Sequence, residues 1–160
     1  MPALTFYTHA DSPFGRLLLT ADGTALTGLH LSDRPPDAGW VSDAAPFKQV
    51  EAELADYFAG RLTAFTVPVA PAGTPFQKRA WAALKAIPYG TTVSYAEQAR
   101  MLGQPTASRA VGSANGKNPI SIVVPCHRVV ASGGGLGGYG GGLAMKARLL
   151  ELEAGPGGRS

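Results

Sequence analysis

The sequence predicts an α+β fold in two parts, a small N-terminal antiparallel sheet with one helix followed by a mainly helical C-terminal part. Three observations carry this. Short strand-like runs separated by turn residues fill the beginning of the chain, and helical apolar spacing with two capping boxes fills its middle. Charge also divides the chain. Residues 1–72 hold four Lys/Arg against eight Asp/Glu, whereas residues 73–160 hold ten against three, within a total of +3. An acidic scaffold joined to a basic part that binds a polyanion is the organisation this implies, with domains at 1–72 and 73–160.

Residues 4–8 and 15–21 have strand character, with turn residues Asp11, Ser12 and Pro13 between them. Residues 21–24 read as a hairpin turn into a third strand over 25–31, completing a three-stranded antiparallel sheet. Residues 34–39 form a loop. Over 45–59, Phe47, Val50, Leu54, Tyr57 and Phe58 recur at spacings of three and four, an amphipathic helix closed by Gly60. Residues 64–69 read as a short edge-like strand.

Pro71, Ala72 and Gly73 make the linker. Thr74 as N-cap, Pro75 at N1 and Gln77 at N3 then open a helix whose apolar face carries Phe76, Ala80, Trp81, Leu84 and Ile87. Ser94 and Glu97 form a second capping box for a short helix ending at Leu102-Gly103. A third helix over 107–114 is rich in small residues around one long side chain, Arg109. Two short helices joined by a tight turn make a helix-turn-helix, whose second helix commonly enters a DNA groove. Plain helix packing is the alternative, and the basic second half favours DNA. Residues 115–119 form a turn, residues 132–142 a glycine-dense loop, and residues 143–152 the last helix.

The only cysteine, Cys126, follows the apolar run 120–124, which reads as a buried extended segment stopped by Pro125. A Cys beside a His can be activated as thiolate, and Arg128 adds positive charge. A lone Cys more commonly just packs, so the flanking residues decide. One Cys excludes an intramolecular disulfide and suits a reducing compartment. The N-terminus shows no signal peptide and no apolar run is long enough to cross a bilayer, so the expected location is the cytoplasm.

Pro125-Cys126-His127-Arg128-Val129 resembles the signature of the O6-alkylguanine-DNA alkyltransferases, the single-turnover repair proteins that move an alkyl group from guanine to their own cysteine. Asn118-Pro119, Ser94-Tyr95, Ser108-Arg109-Ala110-Val111-Gly112 and the lid from Gly138 and Tyr139 to Leu143 resemble further family elements in the same order. The resemblance is dense from about residue 74 to 155 and weak before it.

The resemblance implies irreversible transfer of an alkyl group from O6 of guanine, or O4 of thymine, in duplex DNA to Cys126 after base flipping. His127 would take the thiol proton through water, Glu153 would orient the imidazole, and Asn118 would hold the turn near the thiol. Tyr95 would help rotate the nucleotide and donate to guanine N3. Arg109 would enter the base stack, with Ser108, Ala110 and Arg128 also toward DNA. Val129, Tyr139 and the Gly140 N–H would form the base pocket and lid. The expected partner is double-stranded DNA bearing O6-alkylguanine, with no cofactor, no metal and no membrane, the chain acting as a monomer.

With no Cys in residues 1–125, His9 and His30 are too few ligands for the zinc site that some family members carry. Gly138 and Gly140 stand where larger polar residues can occur, which leaves alkyl preference open. The rival readings are an alkyltransferase-like protein that only flags lesions, a thiol-sensing helix-turn-helix regulator, and a cysteine hydrolase. Presence of Cys126 disfavours the first, absence of an added sensor domain the second, and Arg109 with the basic surface the third.

Overall fold

The computed structural model describes residues 4–31, 34–133, 135–139 and 142–155. The chain divides into two compact units: residues 1–72 with 119–123, and residues 73–118 with 124–160. The interruption at 119–123 was not visible in the sequence.

In the first unit β1 (Phe6–Ser12) pairs antiparallel with β2 (Gly15–Ala21), in a register running from Phe6 opposite Ala21 to Ser12 opposite Gly15. The turn residues are thus Pro13 and Phe14, because Asp11 and Ser12 remain in the ladder. β3 (Leu26–His30) pairs antiparallel with β2. The sheet has four strands, not three, since β4 (Val41–Ser42) adds parallel to β1 in the order β3-β2-β1-β4. Central β2 buries five consecutive residues, Leu17 to Ala21, as a strand covered on both faces does.

A 3-10 turn (Ala45–Phe47) leads into α1 (Lys48–Phe58), which buries Val50, Leu54 and Tyr57. The expected strand at 64–69 reduces to a single parallel bridge, Val69 to Leu26. Pro68 cannot donate, and the chain is tied instead by Leu26 N–H to Pro68 O and Ala70 N–H to Leu26 O. Residues 119–123 join this unit through Leu29 N–H to Pro119 O (2.9 Å) and Ser121 N–H to Leu29 O (3.2 Å).

In the second unit α2 (Pro75–Lys85) and α3 (Tyr95–Met101) begin at the two capping boxes, with reciprocal bonds present at Thr74/Gln77 and Ser94/Glu97. After a tight turn, α4 (Ser108–Gly116) packs against both. A two-stranded parallel pair joins β5 (Val93–Ser94) to β6 (Val129–Val130). The last helix, α5 (Leu143–Ala154), buries Lys146, Leu149, Leu150 and Glu153 on one face. Among the described residues no helix is long and apolar enough to cross a membrane.

Candidate active site

Cys126 reaches its place through turns rather than at the end of a strand. Val123 N–H closes onto Ser121 O at 2.8 Å around Ile122, whose φ of 72° lies in the left-handed region. A β-branched residue there is strained, by about 1–3 kcal/mol, and such strain gathers at functional sites. Pro125 (φ −85°, ψ 68°) then centres an inverse γ-turn in which Cys126 N–H donates to Val124 O at 2.9 Å. Residues Cys126–Arg128 form one 3-10 turn, and all three side chains are buried. The extended reading of 120–124 is therefore corrected: the β-branched run reported burial, not conformation. Asn118 Nδ2 donates to Val124 O at 2.8 Å, fastening the point where the chain leaves the second unit to the point where it re-enters.

Behind the thiol lies a buried charged cluster. His127 Nε2 donates to Glu153 Oε2 at 2.6 Å, and neither side chain is more than 1% exposed. Arg128 grips the same carboxylate, Nε to Oε1 at 2.8 Å and Nη2 to Oε2 at 3.1 Å, and its Nη1 donates to Ile87 O at 2.7 Å. Its guanidinium also lies 5.7 Å from the Tyr89 ring centroid. Arg128, expected toward DNA, is thus a buried partner of Glu153. Its charge neutralises the carboxylate, which a phosphate contact would leave unpaired.

The carboxylate on Nε2 fixes the His127 tautomer and leaves Nδ1 as an acceptor; Nδ1 is buried with no hydrogen-bond partner among the described residues. Burial holds His127 below its ordinary pKa, against the opposing pull of Glu153. Burial likewise pushes the Cys126 thiol up, opposed by a hydrogen bond from Asn118 and by the charge of Lys146. The resting pair is a neutral thiol and a neutral imidazole.

Lys146 is a site residue that the sequence reading did not single out. Its buried ammonium donates to Val129 O (2.6 Å), Leu136 O and Gly138 O (3.0 Å), so one cation ties β6 to the lid. The available signal was a lysine and a glutamate, Lys146 and Glu153, sharing a helix face with Leu149 and Leu150. Val129 O already accepts from Lys146 and Cys126 O from Val129 N–H, so each carbonyl keeps a second lone pair available.

Cys126 lines a cavity of about 140 Å³ together with Tyr95, Gly112, Asn115, Gly116, Gly138 and Tyr139. A groove of about 640 Å³, lined by Ser94, Glu97, Ser132, Leu136 and Glu151 among others, does not include the thiol. Tyr95 and Tyr139 are thus brought to Cys126, while Leu136 turns to the groove. A Cβ on Gly137 (φ 74°) would meet Tyr95 Oη at 2.6 Å, so the lid backbone can lie against the phenol only with glycine there. Ser108, Arg109 and Ala110 form the first turn of α4, Ser108 half-buried and the other two exposed, away from the buried cluster. Gly140 lies outside the described residues. His9 Nε2 donates to Arg34 O at 3.1 Å, and among the described residues no three His, Cys, Asp or Glu side chains could hold a metal.

Two family models match the chain: the 6-O-methylguanine DNA methyltransferase ribonuclease-like domain over residues 5–71, and the DNA binding domain of the same name over residues 75–155. A methylated-DNA--protein-cysteine methyltransferase from Mycobacterium leprae is 50% identical over 146 residues, covering 89% of this chain and 88% of that protein. One from Methanosarcina acetivorans is 46% identical over 153 residues, covering 92% and 97%. Among solved structures, Mycobacterium tuberculosis OGT in complex with DNA superposes with a TM-score of 0.88 at 49% identity, covering 92% of each chain. An O6-methylguanine DNA methyltransferase from Methanococcus jannaschii gives 0.67 at 26% identity, covering 91% of this chain and 92% of that one.

Proposed function

Because the chain belongs to the 6-O-methylguanine DNA methyltransferase family, we propose that it repairs DNA by direct reversal, moving the alkyl group of O6-alkylguanine onto Cys126. The observation that carries this reading is a buried imidazole one residue from the only thiol, its Nε2 locked by Glu153 and its Nδ1 open.

In the reaction Cys126 Sγ forms a bond to the alkyl carbon as the carbon–O6 bond breaks, and the electron pair leaves with guanine. The thiol proton passes through water to His127 Nδ1, and the imidazolium formed is stabilised by Glu153, which Arg128 keeps in place. Tyr95 donates toward guanine N3 as negative charge develops on the base. Asn118 and Lys146 act on the thiol itself, each favouring its ionised form. A thioether does not hydrolyse at neutral pH, so each molecule acts once.

An O6 atom inside the base stack is out of reach of a thiol beside so small a cavity, so the nucleotide must turn out of the duplex. Exposed Arg109 at the start of α4 fills the gap it leaves, while Ser108 and Ala110 allow the helix close to the minor groove. The M. tuberculosis relative solved with DNA supports this partner. Residues 1–72 contain no nucleophile of this kind and serve as scaffold, and a reduced single cysteine suits the cytoplasm. The test is a titration of protein into a duplex carrying one O6-methylguanine. Lesion loss rises linearly and stops at one lesion per protein; continued loss beyond equivalence would mean turnover and refute the reading.

A further inference from the structure

The second unit holds another buried polar pair, and the chemistry above does not use it. Gln98 in α3 and Asn115 in α4 face each other in a reciprocal amide pair, Gln98 Nε2 to Asn115 Oδ1 at 3.0 Å and Asn115 Nδ2 to Gln98 Oε1 at 2.7 Å. Gln98 Nε2 also donates to Ala80 O of α2 at 3.1 Å, so a single side chain links three helices. Gln98 is fully buried and Asn115 is 7% exposed, and the other buried residues of the three helices are apolar: Ala80, Trp81 and Leu84 on α2, Ala99 on α3, and Val111 and Ala114 on α4. Amides in such a core add little net stability over apolar side chains of the same shape, but they tolerate only one register, because a slip strands both.

The register concerned is that of the last turn of α4, which Trp81 Nε1 also holds by donating to Ala114 O at 2.9 Å. That turn is a wall of the thiol cavity: Gly112, Asn115 and Gly116 line it. At Gly116 a Cβ would meet nothing within 4 Å, and at Gly112 it would touch Tyr95 only at 3.6 Å. Protein packing does not demand glycine at either position, and the space left by both belongs to the cavity. With backbone on two sides of it, Asn115 is the wall's only side chain, and its placement decides how much room lies beside Cys126.

We propose that the Gln98–Asn115 amide pair is a positioning device that sets the breadth of the cavity beside Cys126, and with it the size of O6 substituent that can be transferred. This rests on the alkyl-transfer reading. Gln98→Leu strands the Asn115 amide, which turns toward the cavity for a partner and narrows it. Asn115→Ala removes the same side chain and widens it. Each variant leaves an amide without its amide partner, Gln98 keeping only Ala80 O, so a purely structural role predicts losses of stability with no change in preference. The cavity role predicts opposite changes.

The test is single-turnover transfer from duplexes carrying O6-methylguanine or O6-benzylguanine, with thermal unfolding measured on the same preparations. The benzyl-to-methyl rate ratio falls about tenfold in Gln98→Leu and rises about tenfold in Asn115→Ala, the scale on which a methylene-sized change in a pocket discriminates. The double variant Gln98→Leu/Asn115→Leu strands neither amide, keeps the fold, and holds the ratio nearer to wild type than either single variant, because side chains of the same shape again face each other. Ratios unchanged in all three, or moving in the same direction in both single variants, would overturn the proposal. Failure of the wild-type chain to transfer methyl would instead refute the function on which it rests, and the proposal would fall with it.

Discussion

Replacing Glu153 with Gln keeps the size of the side chain and removes its charge, so it isolates what the buried carboxylate contributes. Glu153 accepts from His127 at 2.6 Å and from Arg128 at 2.8 and 3.1 Å, with side-chain exposures of 0% for His127, 8% for Arg128 and 1% for Glu153 itself. In the variant the Arg128 charge remains buried without its counter-charge, left with Ile87 O, the Tyr89 face and the neutral amide oxygen that replaces the carboxylate. Breaking a buried pair in this way costs about 3–5 kcal/mol, a large share of the about 5–15 kcal/mol that holds a domain together. The neutral amide also stabilises an imidazolium poorly, so transfer falls by about 10²–10⁴, the range of a general base. Urea unfolding reads the first effect and rapid-quench transfer at a temperature where the variant is folded reads the second. Transfer within a factor of about 3 of wild type would refute the role given to Glu153, since general-base loss is far larger.

Three further outcomes follow from the same cluster and from α4. Burial lowers the His127 pKa from its ordinary 6.5, so the unfolded chain binds that proton first. Its contribution to stability is full above about 6.5 and is lost as pH falls toward the lowered folded value; urea midpoints from about pH 8 to about pH 5 decline less steeply in His127→Gln, and equal slopes would contradict this. Lys146→Met leaves the buried Val129 carbonyl without its donor, costing about 1–3 kcal/mol, and frees the lid carbonyls of Leu136 and Gly138. Hydrogen exchange of residues 135–139 therefore accelerates, and unchanged exchange would remove Lys146 as the tie. Arg109→Ala, at an exposed position, leaves the unfolding free energy within about 0.5 kcal/mol of wild type yet slows transfer from duplex DNA much more than from the free base. Equal slowing with both substrates would place Arg109 outside base extrusion.

What the sequence revealed depended on how local the cause was. The capping boxes at Thr74/Gln77 and Ser94/Glu97 were legible because the residues that satisfy the first N–H groups lie within one turn of each other. The strands of the hairpin were legible for the same reason. β4 was not, since two residues take strand form only by pairing with distant β1. The run 120–124 signalled burial correctly and conformation wrongly, because an apolar β-branched stretch carries no mark of a turn centred on Ile122. In the site, Cys126 and His127 stood out as the only thiol and the imidazole beside it, with the family resemblance deciding their reading, and Glu153 was named through the resemblance. Arg128 was expected toward DNA, whereas a 3-10 turn after Pro125 buries it with its neighbours. Lys146 and the Gln98–Asn115 pair escaped because a polar residue on a buried helix face identifies itself only once its partner is known.

The central claim is that Cys126 is the acceptor of the alkyl group. Intact-protein mass after incubation with a duplex carrying one O6-methylguanine, beside a Cys126→Ser control, tests it most directly. The expected result is a gain of one methyl group in the wild-type chain, mapped to the peptide containing Cys126, and none in the control. Lesion binding with no gain in mass, or the same gain in the Cys126→Ser chain, would contradict it.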